Sequence, residues 1–236
     1  MRLDKLISMA GYSRSEAKQL ISRGRVQLGG IAVRDPGMNA SPEAVLLDGR
    51  PLLVETELYL MLHKPAGVVT ATEDKRLPTV LSLLPAELQR RKPGPVGRLD
   101  RDVTGLVLLT TDGQLAHRLI SPRWKAEKLY RAECEGVLTA DDVAAFAAGL
   151  ALSDFTAQPA RLDILSAGAT SIADVTLTEG KFHQVKRMFA AVGHPLIRLE
   201  RLRIGCVHLD PALAPGQFRR LTAQEIDGLK RMTDLL

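Results

Sequence analysis

The chain has 236 residues, more than the roughly 100–200 of one ordinary domain and fewer than three domains need, so two unequal domains are expected. Its 45% hydrophobic and 25% charged content suits a soluble globular protein, no apolar run nears the roughly 20 residues of a membrane span, and Met1-Arg2-Leu3-Asp4-Lys5-Leu6 lacks the basic-then-apolar layout of an export signal. The net charge of +5 favours a polyanionic partner, while the two cysteines, Cys134 and Cys206, lack any zinc-ligand spacing and read as thiols of a reducing cytoplasm.

Residues 1–57 form the first expected unit. Leu3, Leu6, Ile7 and Ala10, then Ala17, Leu20 and Ile21, recur at helical spacing, and Ser13 with Glu16 make a capping box that opens the second helix. Short strands follow between the turn signals Gly29-Gly30, Asp35-Pro36-Gly37 and Asp48-Gly49. Arg14, Lys18, Arg23 and Arg25 crowd around the second helix while the acids largely lie outside it, which suits a phosphate-binding face. A pair such as Arg14 and Lys18 is equally at home on a solvated helix face, and charge spacing does not separate the two readings.

Residues 58–236 form the second. Strand-like runs at Leu58–Leu62, Val68–Thr70, Gly105–Thr110, Tyr130–Glu135, Ala173–Leu177 and Ile197–Leu202 predict a large, mainly antiparallel sheet in an α+β domain. Helices are predicted at 140–148 behind the cap Thr139 and at 184–192 before Gly193. Gln89–Pro95, with three basic residues and two prolines, reads as an exposed loop.

That loop leads into Gly97-Arg98-Leu99-Asp100-Arg101-Asp102-Val103-Thr104, a polar segment set directly before an apolar strand, where catalytic groups are often held. An Asp at a turn also bonds nearby amides, so residue types alone leave a purely structural turn open. Around Lys181-Phe182-His183-Gln184-Val185-Lys186-Arg187 the second predicted helix starts with a basic first turn, against the usual preference for acids there. His183 has no second ligand at metal spacing, His63, His117, His194 and His208 are as scattered, and no metal is expected. There is no P-loop, GxGxxG or GxSxG, so no nucleotide or other cofactor is expected either. With aromatics at 4%, an extended stacking platform is not expected, though one ring such as Tyr130 could stack on a single base.

The chain resembles the pseudouridine synthases of the ribosomal small-subunit type. MRLDKLISMAGYSRSEAKQLISRGRVQLGG is similar to an S4-type RNA-binding domain, and YLMLHKPAGVVTA, PVGRLDRDVTGLVLLTTDGQLAHRLISPRWKAEKLY and EGKFHQVKRMFAAVGH resemble the family's core motifs in order. The resemblance implies a small S4-like domain at 1–57 and a catalytic domain at 58–236. It implies that Asp100 is the essential acid, as nucleophile at the sugar or as base toward its 2′ proton. Tyr130 would stack on the target uracil, although a strand tyrosine is more often half-buried core. Lys186 would pair with Asp100 and keep it ionised, and Asp102 would only support. Arg98, Lys64 and Arg187 join Arg14, Lys18, Arg23 and Arg25 as expected RNA contacts. The implied reaction flips a uridine from its stack, breaks its glycosidic bond and rejoins the base through C5, an isomerisation without cofactor or metal. The implied partner is 16S rRNA, at uridine 516, or a small-subunit assembly intermediate, met in the cytoplasm. A 23S rRNA target and a non-catalytic assembly factor are the alternatives. A monomer is expected, since no heptad or large apolar patch is evident.

Overall fold

The computed structural model describes residues 1–52, 54 and 56–236 and divides into two compact units, Met1–Glu57 and Leu58–Leu236. In the first, helices α1 (Leu3–Met9) and α2 (Arg14–Ser22) precede four short strands, β1 (Val26–Leu28), β2 (Ile31–Ala32), β3 (Val45–Leu47) and β4 (Arg50–Pro51), paired in the order β2-β1-β3-β4. Leu3, Leu6 and Ile7 bury against Ala17, Leu20, Ile21, Val26 and Val45, so the helical spacing becomes a small core. Ser13 Oγ accepts from the Glu16 N–H while the Glu16 carboxylate accepts from the Ser13 N–H, closing the capping box.

The second unit runs β5 (Tyr59–Lys64), α3 (Ala86–Arg90), β6 (Gly94–Pro95), β7 (Thr104–Thr110), α4 (Gly113–Ile120), β8 (Lys128–Glu135), α5 (Ala140–Ala148), β9 (Arg161–Ser166), β10 (Thr170–Leu177), α6 (Gln184–Ala191), β11 (Leu196–Ile204), β12 (Val207–His208), β13 (Phe218–Arg220) and α7 (Ala223–Arg231). The sheet order is β13-β5-β7-β11-β8-β10-β9, with β12 on β11 and β6 on β7. Among the described residues every pairing is antiparallel except β7 with β11. The fold is therefore α+β with a mixed, mainly antiparallel sheet.

Both faces of the sheet are covered, which is why β7 reads as an unbroken apolar run rather than an alternation. Leu60, Leu62, Val107, Leu109, Tyr130 and Val175 pack with Phe146 of α5 and Met188 and Phe189 of α6. Tyr59, Met61, Leu106 and Leu108 pack with Leu115 and Leu119 of α4 and Leu229 of α7. Phe146 and Phe189 meet edge to face with centroids 5.1 Å apart. The Asp142 carboxylate accepts from both the N–H and the hydroxyl of Thr139, fixing the start of α5.

Two sequence expectations are corrected. Val68–Thr70 is not a strand: Val69 makes only an isolated bridge to Thr79. Gln89–Pro95 is not an exposed loop, because α3 buries Leu88 and ends at Arg90, Pro93 is buried, and β6 pairs with β7. α4, capped by the Asp112 carboxylate accepting from the Leu115 N–H, and α7, opened by a Thr222–Glu225 capping box, are additional helices. No helix among the described residues is long and apolar enough to cross a membrane.

Candidate active site

The segment 64–70 cradles the acidic loop. Thr70 Oγ1 donates to the Leu99 carbonyl at 2.8 Å and accepts from the Leu99 N–H at 3.1 Å, and the Gly67 N–H donates to the Arg101 carbonyl at 2.8 Å. Lys64 Nζ donates to the carbonyls of Pro65 (2.9 Å), Arg101 (3.2 Å) and Val103 (2.7 Å). Asp100 thus stands between two backbone anchors. Lys64, expected among the RNA contacts, is corrected by this geometry: it is 0% exposed and its ammonium is spent on backbone carbonyls. Burial pulls it down to about 8, while those three acceptors favour the charged form.

Beyond the loop, β7 must pass close to β11. A Cβ on Gly105, whose φ is +105°, would lie 2.3 Å from the Arg201 carbonyl oxygen, so only glycine permits the parallel pairing. β7 begins level with the middle of β11, Thr104 opposite Glu200, and the acidic loop before it meets the first turn of α6. There Lys186 Nζ lies 3.1 Å from Asp100 Oδ2 and donates to Asp102 Oδ1 and Oδ2 at 2.8 and 2.9 Å.

One ammonium therefore serves two carboxylates. Burial opposes the charge on Lys186, but its bonds to Asp102 and Asp100 outweigh that and hold it above its ordinary value. The same bond holds the Asp102 carboxyl below the usual carboxylate range. Asp102 is 73% exposed, against 29% for Asp100, so Asp100 faces the interior of the site and Asp102 its solvent side. His183 Nε2 lies 3.5 Å from Asp100 Oδ1. His183 holds a left-handed backbone at φ 51° as the residue before α6, uncommon for a non-glycine residue.

Asp100, Lys186 and Tyr130 line one recess of about 70 Å³, together with Arg98, His183 and Leu199. Tyr130 is nearly buried, and its ring lies 6.0 Å from the guanidinium carbon of Arg201, its cross-strand neighbour on β11. Arg201 is buried, donates from Nε to the Leu106 carbonyl at 2.8 Å and leaves Nη2 without a partner. Arg98 is exposed at the rim.

Other expected cations lie elsewhere. Arg187 turns away from Asp100: its guanidinium pairs with Asp154 and Ser153 and lies over the Phe155 ring. Those partners explain the basic first turn of α6, whose cations answer carboxylates from distant segments. Arg14, Lys18 and Arg23 are exposed on the first unit, but Arg25 is ion-paired to Asp48, an acid that the β3–β4 turn brings back to it.

Sequence reasoning did not assign Thr70, His183 or Arg201 to the site. For Lys64 a signal existed: with Leu60 and Leu62 it falls at period two, on a face both leucines bury.

A family model described as RNA pseudouridylate synthase matches residues 58–191, and one described as S4 domain matches residues 1–46. The chain is 44% identical over 232 residues to ribosomal small subunit pseudouridine synthase A of Salmonella typhimurium and to that of Escherichia coli K12, covering 96% of this chain and 98% of each relative. It is 42% identical over 231 residues to an uncharacterized RNA pseudouridine synthase of Bacillus subtilis, covering 96% and 97%. A crystal structure of a pseudouridylate synthase superposes with a TM-score of 0.70 at 37% identity, over 97% of this chain and 99% of that one. With its acid–ammonium pair beside a mixed sheet and its sequence matched over almost its whole length, the chain belongs to the RNA pseudouridylate synthase family, isomerases acting on RNA.

Proposed function

We infer that the protein converts one uridine of small-subunit ribosomal RNA, uridine 516 of 16S rRNA, to pseudouridine, with Asp100 as its essential acid. The observation that carries this is the Asp100–Lys186 contact of 3.1 Å in a recess that Tyr130 also lines. The near-full-length similarity to enzymes named for the small ribosomal subunit supports the choice of RNA.

The ammonium of Lys186 lies 3.1 Å from Asp100 Oδ2 and orients its carboxylate, whether that group attacks C1′ or removes the 2′ proton. The C1′–N1 bond breaks, the uracil turns while Tyr130 holds its face, and C1′ joins C5. The C5 proton leaves to solvent and N1, freed from the sugar, takes up a proton in exchange, so nothing is gained or lost overall. The flipped base enters the recess past its rim, where Arg98 and His183 stand. Lys64 and Thr70 act through the loop they anchor. Residues 1–57 act as the RNA-binding domain, with Arg14, Lys18 and Arg23 as phosphate contacts, and residues 58–236 as the catalytic domain. The protein works in the cytoplasm as a monomer, on rRNA or on an assembly intermediate.

The test is to incubate wild type and Asp100→Asn with unmodified small- and large-subunit rRNA and map pseudouridine by chemical modification and primer extension. One new stop in small-subunit RNA, absent with Asp100→Asn, is expected. A stop only in large-subunit RNA would reassign the substrate, and none with either RNA would leave a binding protein.

A further inference from the structure

Phe182 is 71% exposed. One face lies on the His183 imidazole, with centroids 3.7 Å apart and planes inclined by 19°. His183 in turn reaches Asp100 through Nε2 at 3.5 Å. The order from solvent inward is thus Phe182, His183, Asp100. Arg98, exposed on the same recess, supplies positive charge at its rim, while the Lys181 ammonium lies over the Phe155 ring and 3.8 Å from Glu179.

The geometry points to the outer face of Phe182 as a stacking subsite for an unpaired base next to the flipped uridine. This rests on the proposed RNA reaction and adds to it a second base-binding position. Flipping a nucleotide deprives its neighbour of a stacking partner. A flat, solvent-facing ring beside the pocket replaces that partner, and the Arg98 guanidinium suits a flanking phosphate. A base pressed onto Phe182 also holds the His183 ring in place against Asp100. A protein partner fits less well, because a single ring among cations offers no apolar area to bury.

The test is a double-mutant cycle between protein and RNA. Fragments of small-subunit rRNA spanning uridine 516 are made with an abasic residue on the 5′ or the 3′ side of the target. Binding is measured for wild type, Phe182→Ala, Phe182→Leu and Phe182→Trp. One abasic position is expected to weaken wild-type binding about 5- to 150-fold and to cost nothing further in Phe182→Ala. Phe182→Trp should keep the affinity and Phe182→Leu should lose it, with thermal unfolding of the free proteins unchanged. Equal abasic penalties in wild type and Phe182→Ala, or full affinity in Phe182→Leu, would overturn the proposal. Pseudouridine is mapped in the same tubes: its absence with wild type alongside an intact cycle would sink the catalytic reading while the stacking subsite stands.

Discussion

Replacing Lys64 by Met tests whether the acidic loop is held from beneath. The substitution keeps the apolar stem of the side chain and removes an ammonium that serves three carbonyls at 2.7–3.2 Å in a site closed to water. The Arg101 carbonyl keeps the Gly67 N–H, so two carbonyls, those of Pro65 and Val103, are stranded at about 2 kcal/mol each. Against this, the fall of the ammonium to about 8 corresponds to roughly 3 kcal/mol of desolvation that the variant no longer bears. A net loss of about 1 kcal/mol is expected, a lowering of the urea midpoint by about 0.5 M at a slope near 2 kcal/mol/M. Two of the three carbonyls, those of Arg101 and Val103, belong to the loop of Asp100, so its carboxylate should drift, and a displacement of about 1 Å can cost about 100-fold in rate. Single-turnover release of tritium from C5-labelled uridine measures this, since the C5 proton must leave for C5 to join the sugar. Lys64→Arg should not rescue, because a guanidinium is too large for the closed site. A Lys64→Met protein with wild-type midpoint and rate would refute the reasoning.

Gly105→Ala should be the most damaging single methyl in the catalytic unit, because its Cβ would fall 2.3 Å from the Arg201 oxygen; accumulation of soluble, normally melting protein would contradict this. Asp102→Asn should cost little stability, below about 1 kcal/mol at so exposed a position, while Asp100→Asn abolishes turnover, and tritium release under identical conditions separates the two carboxylates. Lys128 has no acidic partner among the described residues, and burial pulls it from 10.5 to about 8. Its charged form therefore penalises the folded state fully below about pH 8, and the penalty fades as pH rises toward 10.5. Lys128→Met should thus exceed wild type in urea midpoint at pH 7.5 and lose that advantage by pH 10, and an advantage independent of pH would exclude the ionisation as its cause. Arg14→Ala with Lys18→Ala should weaken RNA binding and flatten its salt dependence, each phosphate contact contributing about 0.7–0.9 to the logarithmic slope; filter binding from 50 to 200 mM salt reads it.

The parts legible in the sequence were those set by short-range patterns. The Ser13–Glu16 box, the helix behind Thr139 and the strand after Asp100 each depend on residues within a turn or a strand of one another, and they stand where the spacing put them. The edge segments were not legible. Arg161–Ser166 alternates weakly because β9 buries little beyond Leu162, and the Gly113 start of α4 reads as a turn until the Asp112 cap is seen. Charge was the hardest to read. Beyond the period-two position of Lys64, nothing local announces that Asp48 would neutralise Arg25 and Asp154 would take Arg187. The motif resemblance supplied Asp100, Tyr130 and Lys186, but the sharing of Lys186 with Asp102 joins residues 84 positions apart, which no local pattern encodes.

The order of strands also bears on how the chain emerges during translation. β5, which ends in Lys64, is bordered on its outer edge by β13, where Phe218 faces Leu62 and the Gly216 N–H donates to the His63 carbonyl. While the ribosome is still adding the intervening segments, that edge has no neighbour, and an apolar strand with free N–H and C=O groups invites pairing with another chain. The anchor beneath Asp100 is therefore sealed only after residue 220 has left the exit tunnel, so a stalled or prematurely released chain carries the acidic loop but not the finished edge of the sheet that supports it.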